Sequence, residues 1–160
     1  MIDALRRLLQ HDTWANRKVL ESLKSLPERN ERCEALLAHI ASSKRMWLGR
    51  INKDADANIN TWPSLTLEDS TELLSRMEKL WSELLEGTSE DGLHNVYHYM
   101  TAAGEPGQQR LEDILFHYVL HSQYHRAQIA TAVREAGGTP ASTDFVVMAR
   151  EERLAAGAAG

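Results

Sequence analysis

The sequence predicts an all-α protein: an antiparallel four-helix bundle with a long crossover that carries a short extended insert. Three observations lead there. The four prolines, at 27, 63, 106 and 140, leave long stretches free of helix breakers. Apolar residues recur within those stretches at three-and-four spacing, the period of an amphipathic helix. Four such helices each carry one apolar stripe, and a bundle buries the four stripes together.

The first helix is expected from about residue 2 to 25, on Ile2, Leu5, Leu8, Leu9, Val19, Leu20 and Leu23. The second runs from about 30 to 52, on Cys33, Leu36, Leu37, Ile40, Trp47, Leu48 and Ile51, and residues 52–58 read as a polar loop. The third opens at Thr66, with Asp69 completing a loose capping box, presents Leu73, Leu74, Met77, Leu80, Trp81 and Leu84, and stops at Gly87. The fourth carries Leu111, Ile114, Leu115, Tyr118, Ile129, Ala132 and Val133 and ends at Gly137-Gly138. Between the last two helices, residues 95–101 alternate and are rich in β-formers, and residues 103–107 break them, so a hairpin is expected inside the crossover. A short helix from Thr143 to Arg153, capped by Thr143, completes a single domain over 1–153, with residues 154–160 as a frayed tail.

Composition narrows the function. The 160 residues are 42% hydrophobic and 26% charged, as in a globular domain. A net charge of −5 disfavours non-specific nucleic-acid binding. The single cysteine, Cys33, excludes an intrachain disulfide, and no apolar run approaches the roughly 18 residues of a membrane helix. With no secretory leader at the N-terminus, a cytoplasmic protein without membrane or nucleic-acid partners is expected. Cys33 lies at the centre of its stripe and reads as a small buried hydrophobe.

Polar residues that point inward are the informative ones. At about 100° per residue, His125 lies about 40° from the apolar centre of the fourth helix, His121 about 80° and His117 about 120°. The His121-Ser122-Gln123-Tyr124-His125 step puts two imidazoles one turn apart, close enough to share a metal ion; two buried histidines bonded to backbone carbonyls would give the same spacing. His39 sits about 120° from its stripe, so periodicity leaves it open between ligand and exposed histidine, although Ala35, Ala38, Ser42 and Ser43 leave space around it. Asp12 and Asn16 fall within about 20° of the first helix's apolar centre, where unpaired polar groups are costly. Trp14 points away from that stripe and suggests a subunit contact, hence a homodimer. His11, off the stripe, and His94 and His98, on the inserted stretch, need no function.

Taken together, Trp14-Ala15-Asn16, Leu37-Ala38-His39-Ile40 with Trp47-Leu48, the tyrosine-bearing stretch around Val96-Tyr97, Leu111 to His117 leading into His121 to Arg126, and Gly138-Thr139-Pro140 with Asp144 resemble the DinB/YfiT-like superfamily, over about residues 2 to 150. Order and spacing carry the likeness rather than any one motif; Ala127 departs from the glycine many relatives have after the arginine. The resemblance implies a bundle holding a divalent ion (zinc, nickel or iron) on three histidines, here matched by His39, His121 and His125. It also implies chemistry on a small-molecule substrate with a low-molecular-weight thiol or water, Asp12, Asn16 and His117 acting as outer-shell or proton-handling groups. The alternative is a non-catalytic stress-response protein with a structural ion. A ferritin-like di-iron site needs Glu-x-x-His steps, which this sequence lacks.

Overall fold

Local chemistry sets most of the helix ends. Asn30 caps α2 (Glu31–Asn52) by accepting from the Cys33 amide at 3.0 Å, and Lys53 closes that helix in the left-handed region at φ 57°. Thr66 and Asp69 form the expected reciprocal capping box of α3 (Leu67–Glu86), which ends at Gly87. In this computed structural model, which describes residues 1–158, α1 spans Ile2–Lys24, α4 Leu111–Glu135 and α5 Phe145–Gly157. Short 3-10 turns occupy Ala55–Asn58 and Asp91–His94. The inserted stretch is a hairpin of β1 (Val96–Met100) and β2 (Pro106–Arg110), paired antiparallel from Val96 opposite Arg110 to Met100 opposite Pro106.

The bundle is the expected fold class, and its packing follows from the stripes. α2 lies against α3 and α4, and α1 against α4 and α3, so α1 and α2 sit diagonally across the centre. Two apolar clusters fill the interior. One gathers Leu5, Leu9, Leu48, Ile51, Met77, Trp81, Leu115 and Tyr118; the other gathers Val19, Leu23, Cys33, Leu37, Ile40, Leu74, Ile129 and Val133. The order of these residues gives each helix its direction: α1 and α4 run from the first cluster to the second, α2 and α3 the opposite way.

Three expectations shift. The end-to-end crossover is the α2–α3 connection, residues 53–66, whereas the hairpin lies in the α3–α4 connection, which stays at one end of the bundle. Trp14 is not exposed: α5 covers it, with Met148 packed against the ring and Glu151 accepting from the indole nitrogen at 3.1 Å. The partner of that face is the chain's own C-terminal helix. That helix starts after Asp144 rather than at Thr143, because the Thr143 carbonyl meets His11 Nε2 at 2.8 Å, and it continues to Gly157. Of the expected tail, Ala159 and Gly160 lie outside the described residues. No helix among the described residues is long and apolar enough to cross a membrane.

Between the two apolar clusters lies a polar layer. Asp12 is fully buried and receives the Lys44 ammonium on one carboxylate oxygen and Arg126 Nη1 on the other, the latter at 2.5 Å. Asn16 accepts from Arg126 at 2.8 Å and donates to Asp12 at 3.0 Å and to Glu78 at 3.1 Å. Burial alone would raise the Asp12 pKa; the two cations outweigh it and hold the carboxyl below its ordinary value. Removing one member of a buried charge set strands the others. Asp12→Asn is therefore expected to cost about 3–5 kcal/mol at neutral pH, read by urea denaturation. Because the folded pKa is the lower one, this contribution is complete above the unfolded value of about 3.9 and is lost as pH falls through the folded value. The stability gap between parent and variant should hold from neutral pH down to about 4 and close below it.

Candidate metal centre

The crossover that returns along α2 builds one wall of a histidine cluster. Its path is pinned in steps: Arg45 forms a two-point pair with Asp56 at 2.6 and 2.7 Å, Arg50 Nε donates to the Ala57 carbonyl at 3.2 Å, and the chain then reaches Thr61 and Trp62 beside His39. Gly49 permits the close approach, since a Cβ there would lie 2.6 Å from the Asp56 carbonyl carbon and 2.7 Å from the Ala57 nitrogen. His39 is consequently buried, although its helix face points away from the core. The Trp62 ring stacks on it at 3.8 Å and 10°, and the Thr61 carbonyl lies 2.8 Å from its Nδ1.

From the antiparallel neighbour α4, His121 and His125 project toward His39. His121 Nε2 lies 3.2 Å from His39 Nε2 and 3.2 Å from His125 Nε2, and the three nitrogens fall within 4.8 Å of one another. A carbonyl only accepts, so His39 carries its proton on Nδ1; Gln128 Oε1 plays the same part for His125 Nδ1 at 3.0 Å. Both Nε2 atoms then present lone pairs to His121, whose single ring proton can satisfy one at most. A cation satisfies all three. Two ligands on a tetrahedral ion with bonds of about 2.0–2.1 Å stand about 3.3 Å apart, close to the 3.2 Å contacts here.

Electrostatics favour the same reading. Burial, followed by its histidine neighbours, pushes the His121 pKa down to about 3, and burial lowers that of His39. Both rings are neutral at neutral pH and free to donate electron pairs. Among the described residues the cluster comprises these three histidines, with no carboxylate or thiol joining it. That donor set suits a divalent ion of borderline softness and leaves coordination positions open.

The structure thus brings His39, His121 and His125 together. His117 stands beside them, its ring 5.1 Å from His121 and 5.4 Å from Trp47. Asp12 and Asn16 are elsewhere: their bonds go to Lys44, Arg126 and Glu78, and none to a histidine. Asn60, Thr61, Trp62 and Gln128 escaped sequence reasoning; Gln128, three residues after His125, carried a helical-spacing signal, and the crossover residues carried none. His94 and His98 are exposed on the insert side, His94 facing Glu112 at 3.3 Å. A groove of about 860 Å³ between α1, α3 and α5, lined by Trp14, Glu78, Tyr118 and Met148 among others, is separate from the histidines.

Comparison with known proteins bears on the family and the fold. The family model described as "DinB family" matches residues 1–155. The chain is 24% identical to the protein named "Protein DinB" from Bacillus subtilis (strain 168), over 91% of this chain and 93% of that protein. It also superposes on the crystal structure of a DinB-like protein from Bacillus cereus ATCC 10987 with a TM-score of 0.52 and 16% identity, covering 84% of this chain and 94% of that one, a likeness of fold.

Asn60 sets the crossover wall. Its side chain accepts from the Trp62 amide at 2.9 Å and donates to the Trp62 carbonyl at 3.2 Å, which fixes the Thr61 carbonyl and the indole against His39. Asn60→Ala is expected to weaken zinc affinity by about 10-fold, as outer-shell changes do. Asn60→Asp, which keeps the acceptor for the Trp62 amide, should retain most of that affinity. Competition against a chromophoric chelator measures both.

Proposed function

The chain belongs to the DinB family, and from that premise we propose that it is a divalent-metal-dependent enzyme that activates a low-molecular-weight thiol or water toward an electrophilic small molecule. The observation that carries the reading is the convergence of three imidazole nitrogens with no fourth protein ligand among the described residues. A fourth side chain closing the set would favour a structural ion; an open set favours one that meets substrate.

The residues divide the work. His39, His121 and His125 hold the ion, for which zinc, nickel and iron are the candidates. When bound, it supplies Lewis acidity, making a thiol or water more acidic and polarising a substrate oxygen. Thr61 and Gln128 keep two of the rings in the tautomer that ligates. Trp62 and Tyr124 flank the rings and shield them from solvent on two sides, Trp62 stacked on His39 and Tyr124 edge-on to His125 at 5.0 Å. Desolvation, with help from the Arg50 charge, lowers the His117 pKa, so this ring is neutral at neutral pH and suited to accept the proton a thiol or water gives up. Asp12 and Asn16 act at a distance, by holding Arg126, the residue after His125.

Two measurements test this. Elemental analysis of protein purified without an affinity tag is expected to find one divalent ion per chain. His39→Ala and His125→Ala should each weaken its retention by more than about 100-fold, beyond the 10–100-fold of outer-shell changes. Full metal content in either variant overturns the ligand assignment. A panel of small thiols with a generic electrophile should then show turnover that a chelator abolishes and the metal restores; rates indifferent to the chelator remove the enzymatic reading.

A further inference from the structure

One face of α4 is used by neither the bundle nor the three histidine nitrogens. Asp113, His117, Leu120, Tyr124, Ala127, Thr131 and Arg134 are all exposed. Their spacing alternates between four and three residues, the 3.5-residue period of a helix-pairing seam. Leu120 is 66% and Tyr124 64% exposed, and Phe116, at 40%, borders them. The seam is about 31 Å long; its central third, about 10 Å from Leu120 through Tyr124 to Ala127, is apolar, and polar or charged residues extend it at both ends.

The seam is also self-complementary. Reversed about Tyr124, it sets Asp113 opposite Arg134, His117 opposite Thr131, Leu120 opposite Ala127, and Tyr124 opposite itself. Acid meets base at each end, and a large side chain meets a small one on either side of the centre. Asp113 and Arg134 have no ion-pair partner among the described residues. A parallel arrangement would instead set Asp113 against Asp113 and Arg134 against Arg134.

We propose that this face binds a second copy of the chain, α4 packing antiparallel on α4 about a two-fold axis at Tyr124. Such a contact is isologous, the commonest closed symmetry of soluble oligomers. It rests on the seam alone and stands or falls independently of the metal reading. Because Tyr124 and His117 also border the histidines, the second copy would line one side of the metal centre.

The test is the oligomeric state of the full-length chain by sedimentation equilibrium over a concentration series. The parent should be a dimer, and Leu120→Glu combined with Tyr124→Glu a monomer with an unchanged far-ultraviolet circular dichroism spectrum. Asp113→Arg and Arg134→Asp should each weaken dimerisation by about 10-fold, since each reverses two symmetry-related surface pairs. The two together should restore parental affinity. Tyr124→Cys should yield a disulfide-linked dimer on mild oxidation, the native Cys33 being buried. A parent that is monomeric at every concentration, a dimer indifferent to the Leu120 and Tyr124 changes, or charge reversals whose losses add instead of cancelling would overturn the proposal.

Discussion

The carboxylate of Asp12, held without solvent between the Lys44 ammonium and the Arg126 guanidinium, is the interaction on which the rest of the structure depends. A buried charge left unpaired costs several kcal/mol, roughly a third or more of a typical domain's whole stability. Apolar stripes alone let helices slide or rotate with modest loss; this layer does not. Its members come from all four bundle helices, Glu78 joining from α3 through Asn16, and lie between the two apolar clusters, so a slip of α1, α2 or α4 strands a charge.

The consequence reaches the histidines through the chain itself. His39 and Lys44 share α2, and His125 directly precedes Arg126 on α4. Fixing Lys44 and Arg126 against Asp12 therefore fixes the rotation of the two helices that carry the candidate ligands. The charged layer and the clustered imidazoles occupy different faces of the same helices. That separation lets desolvation keep His39 and His121 unprotonated without an adjacent carboxylate to reverse it.

A second constraint is the route of the crossover. A histidine about 120° from its helix's apolar centre has no place in the bundle interior. The segment after α2 doubles back along that helix, held by Arg45, Arg50 and the bare backbone of Gly49, and supplies the interior from outside. Thr61 and Trp62 then do for His39 what core packing does for His125. The fifth helix does much the same for Trp14, turning an outward-facing aromatic into a buried one.

The sequence by itself determined the four amphipathic helices, the capping box at Thr66, the hairpin, the buried state of Cys33 and the one-turn spacing of His121 and His125. All of these are local: they depend on periodicity, caps and turn residues within a few positions of one another. Asp12 and Asn16 could be recognised as inward-facing, but not as partners of Lys44 and Arg126, because those lie 32 and 114 residues away from Asp12. Periodicity left His39 open and only the resemblance implied it; its place in the cluster, the tautomers set by Thr61 and Gln128, the burial of Trp14 and the position of the crossover were decided by tertiary structure. Each depends on a segment remote in sequence arriving at a particular helix face, and helix periodicity describes a face without saying what will cover it.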